Sequence, residues 1–185
     1  QLRVRCADIA EGCLRLRFDN AAVADLFQHS DAVLPEWREG QPVTAQREAE
    51  TARYTARAGR VELGAARLRL EVAAFTLETV VGGIGACGPV LLLNFAIAAV
   101  DGCYGFGERT QRLNKLGDSA ELLTVDVVAV FRHTYARDDY DPTYVAIPWA
   151  ILSSGGRFLG LFFDNPGRAV MDAGKIRPDE FIYQS

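Results

Sequence analysis

The residues whose spacing most directly suggests chemistry are Gly83-Ile84-Gly85-Ala86-Cys87-Gly88, a literal G-x-G-x-x-G. Glycines so spaced let a backbone approach a pyrophosphate at a helix N-terminus, and an acid about twenty residues further on would hold a ribose. Glu108 stands at that distance from Gly88, and residues 89–93 can be drawn as the helix. The surroundings argue against a nucleotide-dependent oxidoreductase. Upstream segments alternate as antiparallel strands instead of opening a βαβ series, and no clear parallel strand leads to the acid. The string reads better as a glycine-rich loop between strands.

The remaining chemistry-bearing residues are sparse. Cys6, Cys13, Cys87 and Cys103 are irregularly spaced without a C-x-x-C pair, and only His29 and His133 are available to join them. A zinc site needs closely spaced ligand pairs, so no metal and no other cofactor is expected. The thiols read as reduced and mostly buried, which suits a cytoplasmic protein. A mutarotase would set a histidine to work with a carboxylate, and neither histidine has such a setting.

The elements that must position any site are mostly strands. Leu2-Arg3-Val4-Arg5-Cys6 and Leu14-Arg15-Leu16-Arg17-Phe18 alternate with period two and read as a hairpin turned near Gly12. Residues 54–58 and 60–63 flank Gly59 as a second, 66–72 form a further strand, and 75–81 another. Residues 122–131 are rich in valine and suit a strand pair or one long strand. Residues 145–152 and 157–164 flank Ser153-Ser154-Gly155-Gly156, which reads as a four-residue hairpin loop. A short helix is expected over 20–27, after Asn20 as cap, and 36–54 is polar and ambiguous. Many short strands with glycine-rich turns predict an all-β antiparallel sandwich with at most one or two short helices.

The bulk numbers agree with one soluble domain spanning residues 1–185. Apolar residues make up 49% and charged residues 24%, with a net charge of −4. Arginines alternate with apolar residues instead of forming a basic stripe, so nucleic acid is not an expected partner. The longest apolar stretch, residues 89–100, contains Asn94 and is too short to cross a membrane as a helix. No signal peptide pattern opens the sequence, and both ends read as cut in mid-pattern, the last without a terminal element.

Residues 104–172 carry the most specific information. Tyr104-Gly105-Phe106-Gly107-Glu108-Arg109 is followed by Leu113-Asn114-Lys115, then Leu122-Leu123-Thr124-Val125-Asp126. Asp141-Pro142-Thr143-Tyr144-Val145-Ala146-Ile147-Pro148-Trp149 comes next, and Gly160-Leu161-Phe162-Phe163-Asp164-Asn165-Pro166-Gly167 closes the series. In this order the blocks resemble the amino-terminal domain of family 31 glycoside hydrolases, which include α-glucosidases and α-xylosidases. The family pattern is Y-G-L-G-E-R, N-T-D, D-P-L-Y-x-x-I-P-F and G-x-F-x-D-N-P.

The resemblance implies a galactose-mutarotase-like β-sandwich packed on a (β/α)8 barrel that is absent here. That barrel would supply both carboxylates of a retaining mechanism, so no residue of this chain inherits a catalytic role and the chain alone should be inactive. It also implies an α-linked oligosaccharide or α-glucoside substrate, with Asp126 matching the family Asp that bonds sugar hydroxyls. Thr124 and Val125 replace the usual Asn and Thr, which leaves sugar specificity open. Trp149 is expected in the core, and the alternative function is a stand-alone carbohydrate-binding module, which would need a row of exposed aromatics.

Overall fold

The computed structural model describes residues 3–10, 12–19, 40–73, 75–87, 90–109, 112–123, 145–165 and 167–185. The helix expected over 20–27 lies outside the described residues, and among those described every regular element is a strand. The chain divides into two compact units, Gln1–Ala96 and Ile97–Ser185.

In the first unit β1 (Arg3–Ala10), β2 (Cys13–Asp19) and β3 (Gln41–Val43) form a sheet in the order β2-β1-β3. The expected first hairpin is present: Val4 faces Phe18 and Cys6 faces Leu16, with a bulge between Asp8 and Ala10. Then β4 (Gln46–Glu48), β5 (Thr51–Thr55), β6 (Gly59–Leu63), β7 (Leu68–Val72), β8 (Phe75–Cys87) and β9 (Val90–Ala96) run as an antiparallel meander.

Period-two alternation dictates which face is covered. Ala52, Tyr54, Val61, Leu68, Leu70, Phe75 and Leu77 are buried, and Val61, Leu70 and Leu77 are direct cross-strand neighbours. The opposite face carries Arg53, Glu62, Arg69 and Glu78 in one row across four strands. Arg53 Nε lies 3.0 Å from Glu62, and Arg69 Nη1 lies 3.9 Å from Glu78. Solvent screens such pairs, so their main effect is on register: a one-residue slip would drive four charges inward.

Polar contacts from β1, the central strand of the three-stranded sheet, join it to the meander. Tyr54 donates to the Val4 carbonyl at 2.8 Å. Asp8, 7% exposed, accepts the Arg57 N–H at 3.0 Å and the Ala58 N–H at 3.5 Å.

The glycine string is neither a phosphate loop nor a connecting loop. Strand β8 continues through it, with Ile84 opposite Leu93, Gly85 opposite Leu92 and Ala86 opposite Leu91. Of residues 89–93, which can be drawn as a helix, 90–93 belong to β9, so no helix N-terminus follows. The register shifts between Thr79 and Ile84, and a Cβ on Gly83 would lie 2.5 Å from the Asn94 carbonyl oxygen. Glycines are needed here for a bulge and a close backbone approach.

The second unit contains β10 (Gly102–Gly105), β11 (Ser119–Leu122), β12 (Trp149–Ser154), β13 (Arg157–Phe162), β14 (Ala169–Ala173) and β15 (Glu180–Gln184). They form the runs β10-β12-β13 and β11-β14-β15. The final residues, expected to carry no element, therefore form a strand. Ser154 pairs with Arg157, so the connection is a two-residue Gly155-Gly156 turn with φ of 55° and 76°, not the four-residue loop expected. Asp101 secures it, accepting the Gly155 N–H at 2.9 Å and the Ser153 hydroxyl. Of the long strand expected over 122–131, Leu122 belongs to β11, and residues 124–131 lie outside the described residues.

All four cysteines are free. Burial pushes the Cys6 thiol up to about 11 and the Cys103 thiol up to about 12. Cys13 is half-buried and Cys87 exposed, so two of the four thiols fit the expected buried class.

The Asp8 carboxyl is held below its ordinary value of 3.8, chiefly by the Arg57 N–H. Its bonds therefore stabilise the fold above that value, and the contribution is lost as pH falls through the folded-state value. Asp8→Ala is expected to lower the thermal midpoint at neutral pH, with the gap to the parent closing as pH drops below 3.8. Melting curves across pH check this; a gap of constant size would refute it.

Candidate functional site

The motif blocks of the second unit meet around one stretch of backbone. Gly105, Phe106 and Gly107 have φ of 120°, 71° and 85°, three successive left-handed residues. A Cβ on Gly105 would lie 2.3 Å from the Trp149 carbonyl oxygen, and one on Gly107 would lie 2.2 Å from that of Val145. Only glycine permits both the conformation and the approach. Phe106 bears real backbone strain, on the order of 1–3 kcal/mol for such a residue. Its ring is 1% exposed and lies 6.4 Å from Phe181, so burial offsets the strain.

This strap is bonded to the segment that leads into β12. The Phe106 N–H donates to the Trp149 carbonyl at 2.9 Å, and the Glu108 N–H donates to the Val145 carbonyl at 2.7 Å. Arg109 then turns to the other sheet. Its Nε donates to the Phe106 carbonyl at 3.0 Å, and its Nη2 donates to the Glu121 carbonyl on β11 at 2.8 Å. Burial lowers the Arg109 pKa. Consecutive residues 108 and 109 thus hold the backbone just before residue 124 and just after residue 144.

The other blocks brace the same place. The Asn114 side-chain oxygen accepts the Cys103 N–H at 3.0 Å and the Leu116 N–H at 3.1 Å. Arg168 forms an ion pair with Glu121. Asn165 donates to the Tyr183 hydroxyl at 3.0 Å and accepts the Gly167 N–H at 2.9 Å. Phe163 stacks on Tyr183 with ring centroids 3.9 Å apart. Asp172, fully buried, accepts the N–H groups of Gly174, Lys175 and Ile176, capping the turn toward β15. Among the described motif residues these contacts are structural.

Asp126, the substrate-contacting residue expected from the sequence, lies outside the described residues, as do His29 and His133. Among the described residues no cluster of three or more His, Cys, Asp or Glu side chains fits a metal ion. A cavity of about 200 Å³ lies among Ile97, Leu116, Ala173, Pro178 and Asp179.

One feature was missed in the sequence. Trp149, expected in the core, is 38% exposed, and Phe162 beside it and Phe158 further along are 42% and 66% exposed. The two-residue turn would have revealed this, since it pairs Trp149 with Phe162 and Ser153 with Phe158 on one face. Ala150 and Leu152, fully buried, occupy the other.

Comparison with known proteins matches these features to a family. Residues 3–172 match the family model described as the glycosyl hydrolase 31 N-terminal galactose mutarotase-like domain. The chain is 31% identical over 85 residues to α-glucosidase 2 of Bacillus thermoamyloliquefaciens, covering 46% of this chain and 10% of that protein. It superposes along its whole length on 22% of a GH31 dextranase from Flavobacterium johnsoniae, with a TM-score of 0.76 and 18% identity. A cycloalternan-forming enzyme from Listeria monocytogenes is similar over 98% of this chain and 16% of its own, with a TM-score of 0.69 and 15% identity. The chain therefore spans a tenth to about a fifth of the length of these relatives. It belongs to the glycosyl hydrolase 31 N-terminal galactose mutarotase-like domain family, an all-β antiparallel sandwich.

Proposed function

We propose that this domain serves a retaining α-glycosidase of α-glucosidase type, presenting Asp126 to a substrate pocket completed by a separate catalytic barrel. The observation that carries this reading is the double clamp at residues 108 and 109. It holds both flanks of the 124–144 segment, Glu121 before and Val145 after, to adjacent residues. A segment rooted in this way can reach outward while its base stays fixed. An ionised carboxylate on it accepts two sugar hydroxyls in charge-assisted bonds. The barrel would supply nucleophile and general acid, two carboxyls about 5 Å apart across the glycosidic bond. The bound sugars named for family relatives, isomaltotriose in the dextranase and a pentasaccharide in the cycloalternan-forming enzyme, support a carbohydrate substrate.

A second reading, a stand-alone carbohydrate-binding module, is favoured by the exposure of Trp149, Phe158 and Phe162. Titrating the chain with maltose or isomaltose while following tryptophan fluorescence tests it. The glycosidase reading predicts no saturable change; a saturable one with no glycosidase activity in the complete gene product would favour the module.

The 185-residue chain is expected to release no phenol from an aryl α-glucoside, whereas the complete gene product should. In the complete protein Asp126→Ala should lower kcat/KM about 10- to 100-fold, the loss of one or two charge-assisted bonds, with its melting temperature unchanged. Normal kinetics in that variant would remove Asp126 from the substrate pocket.

A further inference from the structure

We propose that the cavity of about 200 Å³ in the second unit is a binding site for one neutral hydroxylated ring, a single pyranose unit. None of its residues belongs to the 124–144 segment. Apolar side chains of Ile97, Val100, Leu116 and Pro178 line it, together with Asp179 and the backbone of Gly117 and Gly174. A volume below the roughly 300–1,000 Å³ of pockets for drug-sized ligands admits one ring and not a chain of them. Both glycines are left-handed, with φ of 79° and 95°. A Cβ on Gly174 would lie 3.8 Å from the Gly117 nitrogen, 3.9 Å from that of Asp179 and 4.0 Å from the Arg177 carbonyl oxygen. Glycine thus leaves backbone polar groups open to the cavity where a side chain would cover them.

Three turns build the wall. The Val100 N–H donates to the Ile97 carbonyl at 2.8 Å, the Asp118 N–H to that of Lys115 at 2.9 Å and the Glu180 N–H to that of Arg177 at 3.2 Å. Further bonds tie the turns together. The Ile97 N–H donates to the Asp179 carbonyl at 2.7 Å, and the Gly117 N–H to that of Ala173 at 2.7 Å. A ligand would find the cavity already formed, which lowers the cost of binding. Lys175, Pro178 and Asp179 are exposed, which leaves a way in from solvent.

The lining chooses the ligand. The carbon–hydrogen face of a pyranose packs on aliphatic walls, and its hydroxyls both donate and accept. The Asp179 carboxylate has no hydrogen bond or ion pair among the described residues, so it is open to a hydroxyl in a charge-assisted bond. An anion would meet that carboxylate, and a cation would meet Lys175 on the same turn. A neutral hydroxylated ring meets neither penalty. A wholly apolar ligand would strip water from the polar groups without replacing it.

Hydrogen exchange of the complete gene product, read on peptides spanning residues 172–180, tests the site with D-glucose as the probe. Saturating glucose should slow exchange there on the order of threefold, with a Kd of about millimolar as for one small ring. Val100→Trp, which fills the cavity from a half-buried position, should abolish the effect and leave turnover of α-glucosides unchanged. Asp179→Asn, a residue type that tolerates the left-handed backbone at φ 64°, should raise the Kd about tenfold. Equal protection by cellobiose assigns the site to the end ring of a chain, and protection by glucose alone assigns it to the free monosaccharide; both support the proposal. No protection by glucose, protection that survives Val100→Trp, or equal protection by sorbitol, an open-chain polyol, overturns it. Protection in a complete protein that hydrolyses no α-glucoside overturns the function proposed above and leaves this site standing.

Discussion

The second unit depends on a short strap of backbone that must lie flat against its neighbour. Residues 105–107 adopt three left-handed conformations in succession, which places Phe106 in the core and turns the Glu108 N–H toward Val145. Two glycines make this sterically possible, and the buried aromatic between them makes it energetically tolerable. Without the strap Arg109 could not reach the carbonyls of both Phe106 and Glu121. Several motif blocks that look unrelated along the chain are thus parts of one mechanical joint. Their polar side chains satisfy backbone groups that turns would otherwise leave unpaired.

Elsewhere the fold follows from simpler rules. In the first unit apolar residues on β5 to β8 line up across strands, and arginines and glutamates line up on the reverse face. Asp8 departs from the pattern, a carboxylate set on the covered side of β1 with backbone N–H groups of the β5–β6 turn as its partners.

Much of this was legible in the sequence, for identifiable reasons. Alternation gave the first hairpin, β6, β7 and the first half of β8, because period two is a local property of residues that face opposite ways; β5 lies mostly in the stretch 36–54 that stayed ambiguous, and Gly59, expected as the turn, begins β6. The glycine string misled because a bulged strand and a phosphate loop need the same residue for the same reason, freedom from Cβ; only pairing with β9 separates them. Trp149 is expected in the core, yet the Gly155-Gly156 turn sets the register, and that register puts Trp149 outside and Ala150 inside. The role proposed for Asp126 rests on ordered motifs and not on physical chemistry, since a lone aspartate after a strand is more often a turn residue. The family is settled by the match over residues 3–172.

The solved structures similar in fold to this chain include a dextranase and a cycloalternan-forming enzyme. The joint itself can be tested most directly by native-state hydrogen exchange at the Glu108 amide. The account predicts exchange as slow as that of the paired amides within β12, since this N–H is bonded to Val145 at 2.7 Å. Exchange at the rate of an open, solvated amide would mean that the clamp does not hold, and the rooting of the 124–144 segment would fail with it.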